Sequence, residues 1–217
     1  MTITWIRRTG GGLDKGVIDP NEIKDRRVVV FSSHKHEDHF NPVIFKWRKE
    51  IPDIRYVLSD DIRTTVNALM VHPNREYDLG DLQIRTLKST DAGCAFLLHS
   101  GGLCIYHAGD LNLWNWEGEP RGYNNTMAKN YKERIDTLKG EPIDIAFVPV
   151  DPRLEKNCLL GLDYFMRSVG ANLVFPMHFG NDRSVFDILK TSPVTEPYRD
   201  KIAFFSQRGE NIPYPGI

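Results

Sequence analysis

The stretch that most constrains this chain is His34-Lys35-His36-Glu37-Asp38-His39, which follows the apolar run Val28-Val29-Val30-Phe31 and two serines. Four of these six side chains can ligate a metal, in the spacing H-x-H-x-D-H, and they include three of the chain's seven histidines. In an extended backbone alternate side chains share a face, so His34 and His36 are expected to point the same way. A turn after them lets Asp38 and His39 face a second position. Neutral imidazole with carboxylate suits zinc, iron or manganese better than calcium or magnesium. Lys35 and Glu37, between the candidate ligands, are expected to face outward.

Composition bounds the setting. At 217 residues the chain fits one domain, 1–217, with a full core. Its apolar fraction of 41% and charged fraction of 26% are those of an ordinary globular protein. A formal net charge of −1 provides no basic field for a nucleic-acid backbone or an anionic membrane, which argues against both as general partners. Cys94, Cys104 and Cys158 form no metal pattern, and their odd count argues against a disulfide framework. They read as small buried hydrophobes in a reducing cytoplasm. Neither the first ten residues nor any later stretch is apolar enough for a signal peptide or a membrane span.

Along the chain, Thr2 to Ile6 reads as a short strand ended by Gly10-Gly11-Gly12, and Asp19-Pro20-Asn21 as a turn or helix start. Arg27 to Ser33 is a buried strand, apolar on both faces. A helix-like stretch from Pro42 to about Lys49 and a strand from Ile54 to Leu58 follow. Ser59 or Asp60 then caps an expected helix to about Met70. Strands are expected at Leu82–Leu87, Cys94–His99 and Leu103–Tyr106, the last two joined by the hairpin signal Ser100-Gly101-Gly102. Asn125 to Lys139 is patterned as a helix and Ile143 to Val150 as a strand. Leu159–Val169 reads as a helix, Asn172–Phe175 as a strand and Arg183–Leu189 as a short helix. Alternating strands and helices, interrupted by a hairpin, point to an α/β chain with a sheet-on-sheet core and outer helices: a four-layer αββα sandwich.

Three further motifs lie at strand ends. In Tyr106-His107-Ala108-Gly109-Asp110 the glycine permits a tight turn, and Asp110 is a carboxylate whose burial a metal would offset. Pro176-Met177-His178-Phe179-Gly180 repeats the pattern with a histidine, and Ser89-Thr90-Asp91-Ala92-Gly93 lies between two strands. Asp110 and His178 complete a site that the first cluster leaves short of ligands.

On these residues the chain resembles the metallo-β-lactamase-fold hydrolases. His34, His36, Asp38 and His39 match the family's first metal motif, Asp110 its bridging aspartate, and His178 its last histidine. Tyr-His-Ala-Gly-Asp and Pro-Met-His-Phe-Gly look most like the branch that includes L-ascorbate-6-phosphate lactonase. The matching covers roughly Val28 to Gly180. The resemblance implies two divalent ions, zinc first, with manganese or iron as alternatives. His34, His36 and a third ligand would take one ion, and Asp38, His39 and His178 the other, with Asp110 bridging. Two such ions lower the pKa of a bridging water and polarise the electrophile. Asp38 would orient that water or take its proton. The implied activity is hydrolysis of a small, anionic lactone, ester or phosphodiester. The alternatives are a nuclease and a degenerate member that binds metal without turnover.

Two departures from the family stand out. Its histidine between the first motif and the Gly-Asp turn has no good match, because His72 and His99 fall at the wrong places and the best-matching position holds Ser89-Thr90-Asp91. Asp91 is either an oxygen ligand or a turn residue. The family's N-terminal hairpin also has too few residues here, which implies either a shortened hairpin or a sheet lacking part of one edge, an edge that a second copy of the chain would cover in a homo-oligomer. His107 reads as a ligand, a proton shuttle or, preferably, a partner that orients a ligand. Trp114 and Trp116 read either as an aromatic wall for substrate or as packing under outer helices. Arg153, after the strand Ile143–Val150, reads as a carboxylate or phosphate contact or as a solvated loop residue.

Overall fold

The computed structural model describes residues 12–15 and 17–214, so the expected strand at Thr2–Ile6 lies outside the described residues. The chain divides into two compact units, residues 1–72 with 205–217, and residues 73–204.

In the first unit, β1 (Val28–Ser32), β2 (Ile54–Ser59) and β3 (Leu69–Val71) form a parallel sheet in that order. The run of valines in β1 favours the strand, since β-branched side chains pack well on a pleated surface. Pro42–Lys49 is a 3-10 helix capped by Asn41, whose side chain accepts from the Val43 amide. Its buried Ile44 and Trp47 join Ile51, Tyr56, Leu58 and Ile62 in this unit's core, and Tyr56 donates to the Ile44 carbonyl at 2.9 Å. A four-residue helix, α1 (Pro20–Ile23), begins where Asp19 caps it.

The expected helix from Ser59 or Asp60 to Met70 does not form. Residues 60–68 are irregular, with a turn at 60–61 and a bend at 65–66, and Leu69–Val71 is the strand β3. Two interactions displace the helix. Thr64 Oγ1 accepts the Val66 amide, a local bond that competes with helical pairing, and β3 gains its hydrogen bonds from β2, with Val57–Ser59 opposite Leu69–Val71.

The second unit carries a six-stranded sheet in the order β4 (Glu76–Asp78), β5 (Leu82–Lys88), β6 (Cys94–Ser100), β7 (Leu103–His107), β8 (Ile145–Pro149) and β9 (Leu173–Met177). The pairs β4–β5, β5–β6 and β6–β7 are antiparallel, and β7, β8 and β9 are mutually parallel. Gly101 and Gly102 turn the β6–β7 hairpin at φ +58° and +78°, a region that glycine enters without a Cβ clash. Helices α2 (Arg121–Asp136), α3 (Leu160–Ser168) and α4 (Ser184–Thr191) follow the expected order. Tyr131 of α2 donates to the Gly161 carbonyl of α3 at 2.8 Å, and Tyr106 of β7 stacks on Phe165 of α3. Burial holds both tyrosine hydroxyls well above their ordinary pKa. Among the described residues no helix is long and apolar enough to cross a membrane.

Candidate metal-binding clusters

In the first unit the histidine motif begins two residues after β1 ends, in bends and a turn rather than in extended strand. Ser32 Oγ donates to the His39 carbonyl at 2.9 Å, and the His39 and Phe40 amides both donate to the His36 carbonyl. The Lys35 amide donates to Asp61 at 3.2 Å. The motif is thus folded back on itself by its own backbone. His34 is fully buried, His39 half-buried, and His36 and Asp38 exposed.

Ser33 organises the rings. Its hydroxyl lies 3.1 Å from His34 Nδ1 and 3.2 Å from His39 Nδ1, so it donates to one ring and accepts from the other. Both Nδ1 atoms are thereby engaged; the ring whose Nδ1 accepts from the hydroxyl carries its proton on Nε2 when neutral, and the ring whose Nδ1 donates presents an unprotonated Nε2. His34 Nε2 sits 3.0 Å from His36 Nδ1, and His39 Nε2 sits 3.7 Å from Asp38 Oδ2. His34 and His36 therefore share a side, as the spacing predicts. The means is a turn and not an extended strand. Lys35 and Glu37 are exposed, as expected.

In the second unit the parallel strands β7, β8 and β9 are neighbours, so their carboxyl ends open on one edge of the sheet, where side chains converge. Asp110 follows β7, Asp151 follows β8 and His178 follows β9. His178 Nδ1 is 3.0 Å from Asp151 Oδ2, and its Nε2 is 3.4 Å from Asp110 Oδ1. Burial alone would lower the imidazole pKa, but the bonds and charges of Asp110 and Asp151 outweigh it and raise it to about 9. Asp151 is 1% exposed, and its bonds from His178 and Arg153 overcome burial and hold its carboxyl well below the usual range. His178 itself adopts φ +70°, an uncommon backbone for a residue with a Cβ.

The chemistry of this donor set fits a divalent ion. A histidine whose Nδ1 is bonded to a buried carboxylate has its tautomer and ring orientation fixed, with Nε2 presented for ligation beside Asp110. On binding, an ion would take the place of the Nε2 proton that Asp110 and Asp151 favour on His178, and would pair with Asp110 in its stead.

The other expected residues fall into place around Asp110. Gly109, at φ +53°, donates its amide to His107 Nδ1 at 3.0 Å, so His107 supports the turn that carries Asp110. Thr90 braces the same loop, donating to the Asn112 carbonyl at 2.7 Å and accepting the Asn112 amide at 3.0 Å. Trp114 is buried, donates Nε1–H to the Asp110 carbonyl and meets His178 edge-on at 5.2 Å. Trp116 stacks parallel to it at 6.0 Å, with the Arg153 guanidinium 5.8 Å above its ring. Arg153 also grips Asp151, with Nε 3.0 Å from both carboxylate oxygens. Asp91 is an exposed residue of the Ser89–Gly93 turn, and its amide donates to Ser89 Oγ at 3.1 Å.

Sequence reasoning missed Asp151 as the partner of His178 and Ser33 as the partner of His34 and His39. Asp151 carried a usable signal, an acidic residue directly after an apolar strand, like Asp110. Ser33 carried none, because its role depends on two rings folding back over it.

No protein-family model and no curated protein matches the chain. Among solved structures it resembles a protein from Parabacteroides distasonis described as a candidate metal-dependent hydrolase. That likeness has 18% identity and a TM-score of 0.52, over 76% of this chain and 72% of the other. It also resembles the metallo-beta-lactamase fold protein YhfI from Bacillus subtilis, with 12% identity and a TM-score of 0.53, over 84% of this chain and 75% of the other. The fold is therefore the mixed α/β metallo-β-lactamase fold that the motifs predict. Neither likeness singles out the lactonase branch.

Proposed function

We propose that this chain, carrying the metallo-β-lactamase fold, is a metal-dependent hydrolase of a small, anionic lactone, ester or phosphodiester. The observation that carries the reading is the clamp on His178, an imidazole held by buried Asp151 with its other nitrogen beside Asp110. The ordered donors of His34, His36, Asp38 and His39 support it. The proposal treats residues 1–217 as one functional domain, with the ligand assignment that the family resemblance implies. On that resemblance His34, His36 and Asp91 would hold one ion and Asp38, His39 and His178 the other, with Asp110 available to either. When bound, such ions activate a water and polarise an electrophile.

The chain's own residues supply the rest. Asp38, exposed beside His39, orients the water or takes its proton. His107 and Thr90 hold the Asp110 loop, and Asp151 holds His178 in its ligating tautomer. Trp116, half-buried beneath Arg153, offers a flat surface with a cation above it, which suits an anionic substrate. Zinc, manganese and iron all match the nitrogen and oxygen donors.

The test is metal content by plasma mass spectrometry on the full chain purified without chelator. Wild type should hold about two equivalents more than the His36→Ala/His178→Ala double variant. Hydrolysis of a panel of lactones, esters and phosphodiesters should disappear with chelator and return with metal. A difference of one equivalent or less after reconstitution with each metal, and no hydrolysis, would favour the degenerate metal-binding reading. Asp91→Ala should lower metal content; unchanged stoichiometry would make it a turn residue. RNA and DNA should not be cleaved, since the net charge of −1 provides no field to hold them.

A further inference from the structure

At the opposite end of the second unit's sheet, three residues with no part in the clusters above converge. His99 on β6 and Cys104 on β7 are directly opposed in the hairpin register, so their side chains leave the sheet on the same face. Glu141 comes from the loop between α2 and β8, just after the left-handed turn at Gly140. His99 Nε2 lies 3.9 Å from Cys104 Sγ and 3.7 Å from Glu141 Oε2, so one nitrogen faces both partners. One donor atom from each of the three residues falls within 4.8 Å of the others.

We propose that His99, Cys104 and Glu141 form a separate binding site for a zinc-class divalent ion, with its remaining coordination position open to the adjoining groove. Around a tetrahedral zinc, nitrogen, sulfur and oxygen donors sit roughly 3.3–3.6 Å apart. The two spacings from His99 Nε2 therefore need shifts of only a few tenths of an ångström, and the third pair of donors lies within 4.8 Å. Two of the three side chains have room to make them, because His99 is 41% and Glu141 23% exposed. Arg85 of β5 holds the other carboxylate oxygen, Oε1, at 3.0 Å, which orients Oε2 towards His99. The groove, about 530 Å³, is lined by His99 and Cys104 together with Asp81 and Asp144, and it gives water access to the fourth position.

The local charge is consistent with this assignment. Burial, then the negative charges of Glu141 and Asp144, push the Cys104 thiol up to about 11 against the opposing pull of Arg85. Surroundings that oppose a thiolate on its own are those that a dication reverses. On binding, the thiol proton leaves to solvent, sulfur and neutral imidazole donate to the ion, and no oxidation occurs. The ion would tie the β6–β7 hairpin to the loop after α2, a link unrelated to the donors proposed for hydrolysis.

Cobalt distinguishes the two sites, because only a thiolate ligand gives a near-ultraviolet sulfur-to-cobalt charge-transfer band. The full chain, stripped with chelator and titrated with Co2+, should develop that band, and Zn2+ should displace it. Cys104→Ser should abolish the band. His99→Ala, a change at a half-exposed position that leaves the core intact, should weaken Co2+ binding at this site by more than about tenfold. Zn2+ should also protect one thiol from alkylation in wild type but not in Cys104→Ser. No band with excess cobalt, or a band unchanged in both variants, would overturn the proposal. The His36→Ala/His178→Ala variant should keep the band in full, so failure of the hydrolase reading leaves this test intact.

Discussion

The two candidate catalytic clusters are built in opposite ways. The histidine turn of the first unit takes four donors from six consecutive residues and leaves His36 and Asp38 exposed. The second unit's cluster takes Asp110, Asp151 and His178 from three strand ends spread over 69 positions, and buries both carboxylates. A sequence-local cluster is concentrated by the chain itself, and its shape rests on the hydroxyls of Ser32 and Ser33, the Lys35–Asp61 bond and a turn. A cluster assembled by a sheet has the stiffness of neighbouring parallel strands behind it, and a buried ion pair that resists rearrangement. The comparison teaches that the first cluster depends more on a bound ion for its final geometry, whereas the second is largely set before an ion arrives.

The sharpest way to break that contrast is Asp151→Ala. It strips His178 and Arg153 of their shared carboxylate and should cost about 3 kcal/mol in urea unfolding. It should also weaken metal binding about 10- to 100-fold. A cost below about 1 kcal/mol would mean that the clamp is not the rigid half. Gly161→Ala comes next. A Cβ there would collide with the Asn112 side chain, in the loop that carries Asp110, and would crowd the Leu113 amide. We expect a loss of about 2 kcal/mol, with lowered metal affinity following from the displaced loop; a neutral change would show that the loop yields.

Ser33→Ala should cost only about 1 kcal/mol, because it removes one hydroxyl bonded to two rings. Its signature lies in amide exchange. In wild type, adding metal should slow exchange in residues 33–40 more than at the ends of β7, β8 and β9, and Ser33→Ala should widen that difference. Equal protection of both regions would erase the distinction drawn above. The smallest effect belongs to Lys35→Ala and Glu37→Gln, exposed positions between the ligands, which should leave stability within about 0.5 kcal/mol and metal content unchanged.

Much of this was legible in the sequence. The strands from Cys94 to His107 and the turn between them followed from alternating apolar residues and paired glycines, because a hairpin is a local object whose partners are neighbours in the chain. The helix expected after Ser59 failed for the converse reason. The pairing that makes Leu69–Val71 a strand comes from β2, and Thr64 bonds its own backbone instead of continuing a helical turn. His34, His36, Asp38 and His39 could be picked out because ligand spacing is written in consecutive residues. Asp110 and His178 could be picked out because each follows an apolar strand in a glycine-bearing motif.

The sequence by itself determined which residues offer donors, and the periodicity that makes most of the strands and helices, since both depend on neighbours a few positions apart. Only the tertiary structure decided that Asp151 clamps His178, that Ser33 orders two rings, that Arg153 grips a carboxylate and that Cys104 faces His99 and Glu141. The Asp151–His178 and Cys104–Glu141 contacts depend on sheet register and on loops returning over tens of residues, and the Ser33 and Arg153 contacts on how a short turn folds back. There the free energy of burial and pairing selects a partner that no local pattern names.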